Sequence, residues 1–215
     1  MSGDGPTTLR AAARYFWTRP SPRVIATYLG VLLVARAVLA RWTWIDLVPP
    51  VGVLLLEPFT EWVIHVVVLH WRPRHLGGHT IDLYAARKHR RHHATPRDLS
   101  IVFVPFRLLL LQVPVLIVLG VIVLPTRIGL TLGASAMAML LTYEWTHFLV
   151  HAPYVPRSAW YRTRWRIHRL HHYRNEHYWY GVTTFVGDRA LGTYPDKGEV
   201  ELSETVRDLG VGTAS

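Results

Sequence analysis

Four long apolar stretches dominate this chain, and each approaches or exceeds the length a helix needs to cross a bilayer core of roughly 30 Å. They cover about residues 24–40, 47–69, 101–124 and 128–150. Arg36 interrupts the first, Pro49 and Pro50 lie near the start of the second, and Pro105, Arg107 and Pro114 fall within the third. The fourth is rich in Gly, Ala and Ser in its early part, as helix-packing faces in membranes often are. Buried in a soluble protein of 215 residues, four such stretches would leave too little polar surface. Pro125-Thr126-Arg127 makes a tight link between the third and fourth. The link between the first and second carries Trp42 and Trp44, residue types that collect at membrane interfaces. The pattern predicts an all-α, integral-membrane fold with four transmembrane helices.

Charge sets the orientation. A formal charge of +10 would suit a nucleic-acid-binding protein, but the distribution of the 24 Lys and Arg argues otherwise. Four precede the first span, seven lie between residues 71 and 100, and nine follow the fourth span. The opposite-side links hold only Arg41 and Arg127, and Arg36 and Arg107 lie inside spans. The positive-inside rule makes the basic side cytoplasmic, with both termini there, and no nucleic-acid partner is expected. The polar N-terminus has no basic region leading into a short apolar core, so it does not read as a cleaved signal peptide. The length suits a single membrane domain over residues 1–215, with an N-terminal tail at 1–23 and a flexible C-terminal tail at about 196–215.

Ten of the 13 His fall into four groups: His65 and His70; His89, His92 and His93; His147 and His151; His168, His171 and His172. Positions i, i+3 and i+4 share one helical face, so the second and fourth groups can each present three imidazoles together. His147 and His151 share a face near the cytoplasmic end of the fourth span. His65 and His70 are about 140° apart on an ideal helix. That pair needs a helix end or bend between its members, or ligation of different metals. The first and third groups end spans, and the other two lie in basic segments on the same side, forming a cytoplasmic helical cap. The chain has no Cys, so any metal must rest on His and oxygen ligands. Imidazole suits iron, zinc, copper and nickel, and ten ligands exceed what one ion accepts. Two ions with about five or six ligands each fit the count. His75, His79 and His177 read as ordinary surface histidines.

Carboxylates close to the clusters are candidates to orient the imidazoles. Glu61 precedes His65 by one turn and Glu144 precedes His147 by three residues. Glu57 lies deeper in the second span, where packing beside Pro58 is the alternative. A metal transporter would place polar ligands near mid-span, whereas these lie at span ends. A bis-His haem protein would use two to four of the histidines and leave six unexplained.

The order, spacing and membrane setting of these groups, from about residue 61 to 193, resemble the fatty acid hydroxylase superfamily. That superfamily includes sterol desaturases, carotenoid ring hydroxylases and fatty acid 2-hydroxylases. Glu61-Trp-x2-His65-x4-His70, His89-Arg-Arg-His92-His93-x2-Pro96-x-Asp98 and His168-x2-His171-His172-Tyr173 look closest to the 2-hydroxylase branch. So does Tyr180-Gly-Val-Thr-Thr-Phe185 followed by Asp188 and Leu191-Gly-Thr193. Gly187 departs from the branch, which usually has Trp before the Asp. Asp98, Asn175 and Asp188 match polar positions of the family, which implies hydrogen bonding around the site. The resemblance implies two iron ions, with zinc possible in purified protein, and O2 as co-substrate. It implies insertion of one oxygen atom into a lipid C–H bond, most simply acyl 2-hydroxylation. A carotenoid or sterol hydroxylase or desaturase using the same site is the alternative, and a non-enzymatic metal-binding membrane protein a further one. No fused cytochrome b5 domain is apparent, so the two electrons are expected from a separate ferredoxin or cytochrome b5-type donor. The basic face could dock an acidic donor, or only fix topology and meet anionic lipid. Tyr178-Trp179-Tyr180 could cover a substrate entrance or form an interfacial belt.

Overall fold

The computed structural model describes residues 5–212. In chain order its elements are α1 (Leu9–Thr18), α2 (Pro20–Val38), α3 (Val48–Val63), β1 (Arg74–Leu76) and β2 (His79–Ile81). There follow α4 (Tyr84–Ala94), α5 (Phe106–Val123), α6 (Thr126–His151), α7 (Ala159–Tyr173) and the short α8 (Val186–Ala190). The chain divides into two compact units.

One unit comprises residues 13–57 and 104–145, and it holds most of the apolar helix. Its core is small: Ile25 and Leu32 of α2, Leu109 of α5, and Ala134 and Met137 of α6. Helix α2 begins on Pro20, whose missing N–H is one of the donors that a first helical turn leaves unpaired anyway. Arg36, the charge that interrupted the first apolar stretch, is only 1% exposed. Its guanidinium donates to Asp46 at 2.6 Å, to the Ala40 carbonyl at 2.7 Å and to Thr131 at 3.2 Å, and it stacks on the Trp42 ring. A charge inside an apolar segment survives because every side of it is matched.

Among the described residues, the segments Pro20–Val38, Trp44–Leu69 and Phe106–Val123 are long and apolar enough to cross a membrane. In the last of these only 6% of the apolar window is buried within the protein, so its leucines other than Leu109 are largely uncovered by protein. Helix α6 covers the stretch expected as the fourth span and is not among these three. Its 26 residues suffice for a crossing, but its Gly, Ser and Thr together with Glu144 and His147 dilute the apolar run.

The other unit comprises the residues up to 12, 58–103 and those from 146 onward, and it contains all four histidine groups. The all-α expectation needs one correction here. Strands β1 and β2 pair antiparallel with Leu76 opposite His79, across a Gly77-Gly78 turn. Both glycines have positive φ, the conformation a two-residue hairpin turn demands and glycine adopts without steric cost. Within the stretch expected as a flexible tail, residues 200–209 are also tied into the unit. Val200, Val206 and Leu209 are buried because they cover helix ends. The Ser203 N–H donates to the Arg174 carbonyl at 2.8 Å, and Arg72 donates to the Leu209 carbonyl at 3.1 Å.

Candidate metal centre

The irregular pair, His65 and His70, is brought into register by a change of helix type. After Val63 the backbone widens into a π-helical turn, Ile64–Leu69, and the His70 N–H donates to the His65 carbonyl at 3.0 Å. A five-residue turn stacks positions i and i+5, which an α-helix would splay apart. The two rings stand 5.0 Å apart between centroids. Bends at functional positions are where such π turns concentrate.

The other eight imidazoles come from regular helix. Helix α4 supplies His89, His92 and His93, and the last turns of α6 supply His147 and His151. Helix α7, capped by the Ser158 hydroxyl accepting from the Tyr161 N–H, supplies His168, His171 and His172. All ten predicted histidines assemble into two groups whose ligand atoms lie within 4.8 Å of one another. The first group is His65, His70, His89, His93 and His171; the second is His92, His147, His151, His168 and His172. The grouping differs from three imidazoles acting together on each of α4 and α7. Each i, i+4 pair stays in one group, and the residue one position before its second member turns to the other. Each group is therefore a pair from the turn after α3 or the end of α6, a pair from one of α4 and α7, and a single imidazole from the other of these two. The two groups abut, with the His93 and His172 rings 4.2 Å apart.

The hydrogen bonds decide the tautomers. His65 Nδ1 lies 2.7 Å from the Tyr180 carbonyl, His171 Nδ1 2.8 Å from the Tyr178 carbonyl, and His93 Nδ1 3.0 Å from the Val206 carbonyl. A carbonyl only accepts, so each Nδ1 carries the proton and each Nε2 presents a lone pair. Those Nε2 atoms nevertheless crowd together: His65 on His89 at 3.1 Å, His93 on His89 at 3.2 Å, and His171 on His93 at 3.2 Å. His89 can supply at most one proton to this set, so bare lone pairs face one another unless a cation sits among them. In the second group His147 Nδ1 faces the Val102 carbonyl at 3.0 Å. His92 Nε2 lies 3.1 Å from His151 Nε2, and His172 Nε2 lies 3.0 Å from His168 Nε2. Burial holds His89, His92, His168, His171 and His172 well below the ordinary histidine value, and neighbouring imidazoles add to it. Burial brings His93 to about 3 against the opposing pull of the Val206 carbonyl. The neutral, ligand-competent form therefore prevails at neutral pH. Five neutral nitrogens in each group fit a borderline divalent ion such as iron or zinc.

The carboxylates act one layer further out than expected. Glu61 accepts from the Val182 N–H at 2.5 Å, from the Thr183 N–H at 3.2 Å, and from the Thr183 hydroxyl. Asp188 accepts from the N–H groups of Tyr180 and Gly181 at 3.0 and 2.7 Å and from the Thr193 hydroxyl at 2.7 Å. Both grip the loop whose carbonyls take the imidazole protons. Between those carbonyls Trp179 adopts φ +58°, a left-handed conformation costly for a bulky residue. It is held there by its N–H on the Thr193 carbonyl, its indole N–H on the Pro195 carbonyl and nearly complete burial. Tyr180 packs edge-on against His65 with centroids 5.3 Å apart, so Trp179 and Tyr180 lie buried beside the first group while Tyr178 is half-buried. Gly187, the departure from the expected pattern, sits where a Cβ would meet the Pro58 carbonyl oxygen at 2.3 Å. Helix α3 passes too close for any side chain.

The remaining candidates lie elsewhere. Glu144 accepts from the Ser21 hydroxyl and, at 3.1 Å, from the Val104 N–H. Asp98 accepts from the N–H and hydroxyl of Ser100 in the loop after α4. Asn175 accepts from the His177 N–H and donates to the Glu201 carbonyl. The carbonyls of Val102, Tyr178, Tyr180 and Val206 escaped sequence reasoning because a main-chain oxygen leaves no residue signature. Buried Glu176, which accepts from the Thr205 hydroxyl at 2.5 Å, was also missed. Only its place two residues before the Tyr178-Trp179-Tyr180 run pointed to it.

Helices apolar enough to cross a membrane and two abutting five-histidine groups that could each hold a metal ion define the class of protein. The fatty acid hydroxylase family model matches residues 50–193, and the chain belongs to that family. A dihydroceramide fatty acyl 2-hydroxylase of Arabidopsis thaliana is 27% identical over 152 residues, 70% of this chain and 62% of that protein. The human fatty acid 2-hydroxylase is 26% identical over 157 residues, 68% of this chain and 40% of that one. The chain thus spans roughly two fifths to three fifths of these two relatives. A structure of full-length scs7p, with only its hydroxylase domain visible, shares the fold. Its TM-score is 0.68 at 24% identity, over 84% of this chain and 68% of the other.

Proposed function

We propose that this protein is a membrane-embedded oxygenase that hydroxylates a fatty acyl chain, most directly at the carbon next to the carboxyl group. The observation that carries the reading is the pair of abutting five-imidazole groups, nine of the ten rings buried, in a chain of the fatty acid hydroxylase family. The ten histidines are the proposed ligands of two ions, with iron the working metal. When bound, the ions supply the capacity to bind dioxygen and take up electrons. In the balanced reaction one oxygen atom enters the C–H bond, while the other leaves as water with two protons and two external electrons.

The protein's own part is positional. The carbonyls of Tyr178, Tyr180, Val206 and Val102 keep the Nδ1 protons of their partners, which aims four Nε2 lone pairs inward. Glu61 and Asp188 fix the loop that carries two of those carbonyls. Burial of the imidazoles excludes bulk water, so charge within the site is poorly screened. Helix α6 completes a four-span arrangement in this reading, with both termini and the metal centre on the cytoplasmic side. A soluble ferredoxin or cytochrome b5-type protein delivers the electrons there.

Expression with a ferredoxin and its reductase, followed by lipid mass spectrometry, tests the reading. Acyl species one oxygen atom heavier, hydroxylated at the second carbon and absent from a His171→Ala variant, support it. An unchanged acyl profile alongside altered carotenoids or sterols overturns the substrate assignment.

A further inference from the structure

The two imidazole groups are anchored by different material. In the first, three of five Nδ1 atoms donate to carbonyls outside the helices: Tyr178, Tyr180 and Val206. In the second, His147 Nδ1 faces the Val102 carbonyl and His151 bonds to the Pro96 carbonyl, both before α5. The Nδ1 atoms of His92, His168 and His172 are buried and have no hydrogen-bond partner among the described residues. Carbonyls outside the helices thus anchor both groups, but only the first takes them from the chain that follows α7.

One of its three anchors comes from an unexpected place. Val206 lies beyond residue 193, where the match to the family model ends. The segment around it, residues 200–209, is tied down along its whole length. Arg174 donates to the Val200 carbonyl at 2.7 Å, and Asn175 donates to that of Glu201. The Ser203 N–H returns a bond to the Arg174 carbonyl, and the Thr205 hydroxyl donates to Glu176. Arg207 donates to the His93 carbonyl at 3.3 Å while stacking on the Tyr173 ring. Arg72 closes the far end on the Leu209 carbonyl. These bonds clamp the end of α4 to the end of α7, with the His93 Nδ1 proton in the clamp.

We infer that residues 200–209 form a strap that positions His93 and so governs metal retention by the first group separately from the second. The inference rests on the two-metal reading above. Loss of a fixed acceptor on a ligating imidazole costs about 10–100-fold in metal affinity. Only one of the two groups receives such an acceptor from the strap.

The test is metal content per chain, measured by elemental analysis across a series of chelator concentrations. It uses the purified full-length protein and a full-length T205A/R207A variant, in which the Val206 carbonyl remains but its flanking anchors are gone. A chain ending at Lys197 serves as a second variant, and circular dichroism reports whether each is folded. The wild type should hold two metals. Both variants should release one of them at about 10–100-fold lower chelator and keep the other unchanged. In a His168→Ala/His172→Ala background, which disables the second group, the strap changes should weaken the single remaining metal. In a His65→Ala/His171→Ala background they should leave it unchanged. A wild type holding fewer than two metals overturns the two-metal reading and the strap with it. A wild type holding two, with variants that keep both or lose both together, overturns the strap alone. If the shortened chain does not fold, the point variant decides.

Discussion

The unit that carries the imidazoles buries polar groups, while the unit that carries most of the apolar helix leaves its leucines outside. In the first, His93, His168, His171 and His172 are fully buried, along with Glu176 and Asp188. In the second, Leu111, Leu116, Ile122 and Val123 are each about two-thirds exposed or more, around a core of a few residues. Both arrangements are unfavourable in water alone. A buried polar group needs a partner, and crowded lone pairs need a cation. A broad exposed apolar surface needs an apolar solvent. In the proposed reading, metal ions complete the first unit and lipid surrounds the second.

The sharpest way to break this comparison is to remove one ligand from each imidazole group. His93→Ala and His172→Ala should each lower hydroxylase activity by more than the hundredfold or so that outer partners cost. Each should reduce metal content by about one ion per chain, with the helical circular dichroism signal unchanged. If either variant retained two metals and full turnover, the five-and-five assignment would fail. Next in size are the carboxylates that hold the 178–185 loop. Glu61→Gln and Asp188→Asn each turn an NH2 toward a main-chain N–H or a hydroxyl, replacing an attraction with a repulsion. A loss of about 10–100-fold in metal affinity is expected, read by chelator competition. An effect on protein yield with no change in metal affinity would make these residues structural only.

Much of the imidazole unit could be read from the sequence because helical spacing carries it. His89 with His93, His147 with His151, and His168 with His172 are i, i+4 pairs, and each meets on one face. What spacing could not show was the exchange of His92 and His171 between groups. That depends on how α4 and α7 are turned toward each other, not on either helix alone. The π turn at His65 and His70 was legible only as an irregularity that needed a bend. The orienting carbonyls were invisible, since any residue type supplies one. The apolar unit was legible in its long apolar helices. The matching of Arg36 was not, because Asp46 reaches it across the link after α2 and Thr131 comes from a helix distant in sequence.

That buried ion pair offers a smaller effect, confined to the apolar unit. Asp46→Ala leaves the Arg36 guanidinium buried without its carboxylate, and an uncompensated buried charge destabilises. The variant should therefore melt at lower temperature than the wild type at neutral pH. Metal content per folded chain should not change. Loss of metal in this variant would show that the two units are energetically coupled.

The smallest expected effect separates two leucines of one helix. Leu109 of α5 is 1% exposed and packs into the small core with Ile25 and Leu32, whereas Leu116, two turns on, is 66% exposed. Leu109→Ala leaves a cavity and should cost about 2–5 kcal/mol, the range for buried leucines. Leu116→Ala removes nothing that the protein packs against and should stay within about 0.5 kcal/mol. Lipid or detergent fills the space beside Leu116 whichever side chain is there, so the comparison should hold in both micelles and bilayers. Thermal unfolding of the two variants in each medium measures it. Equal losses at the two positions would mean that α5 is covered by protein along its outer face, and the lipid-facing role assigned to that helix would have to be abandoned.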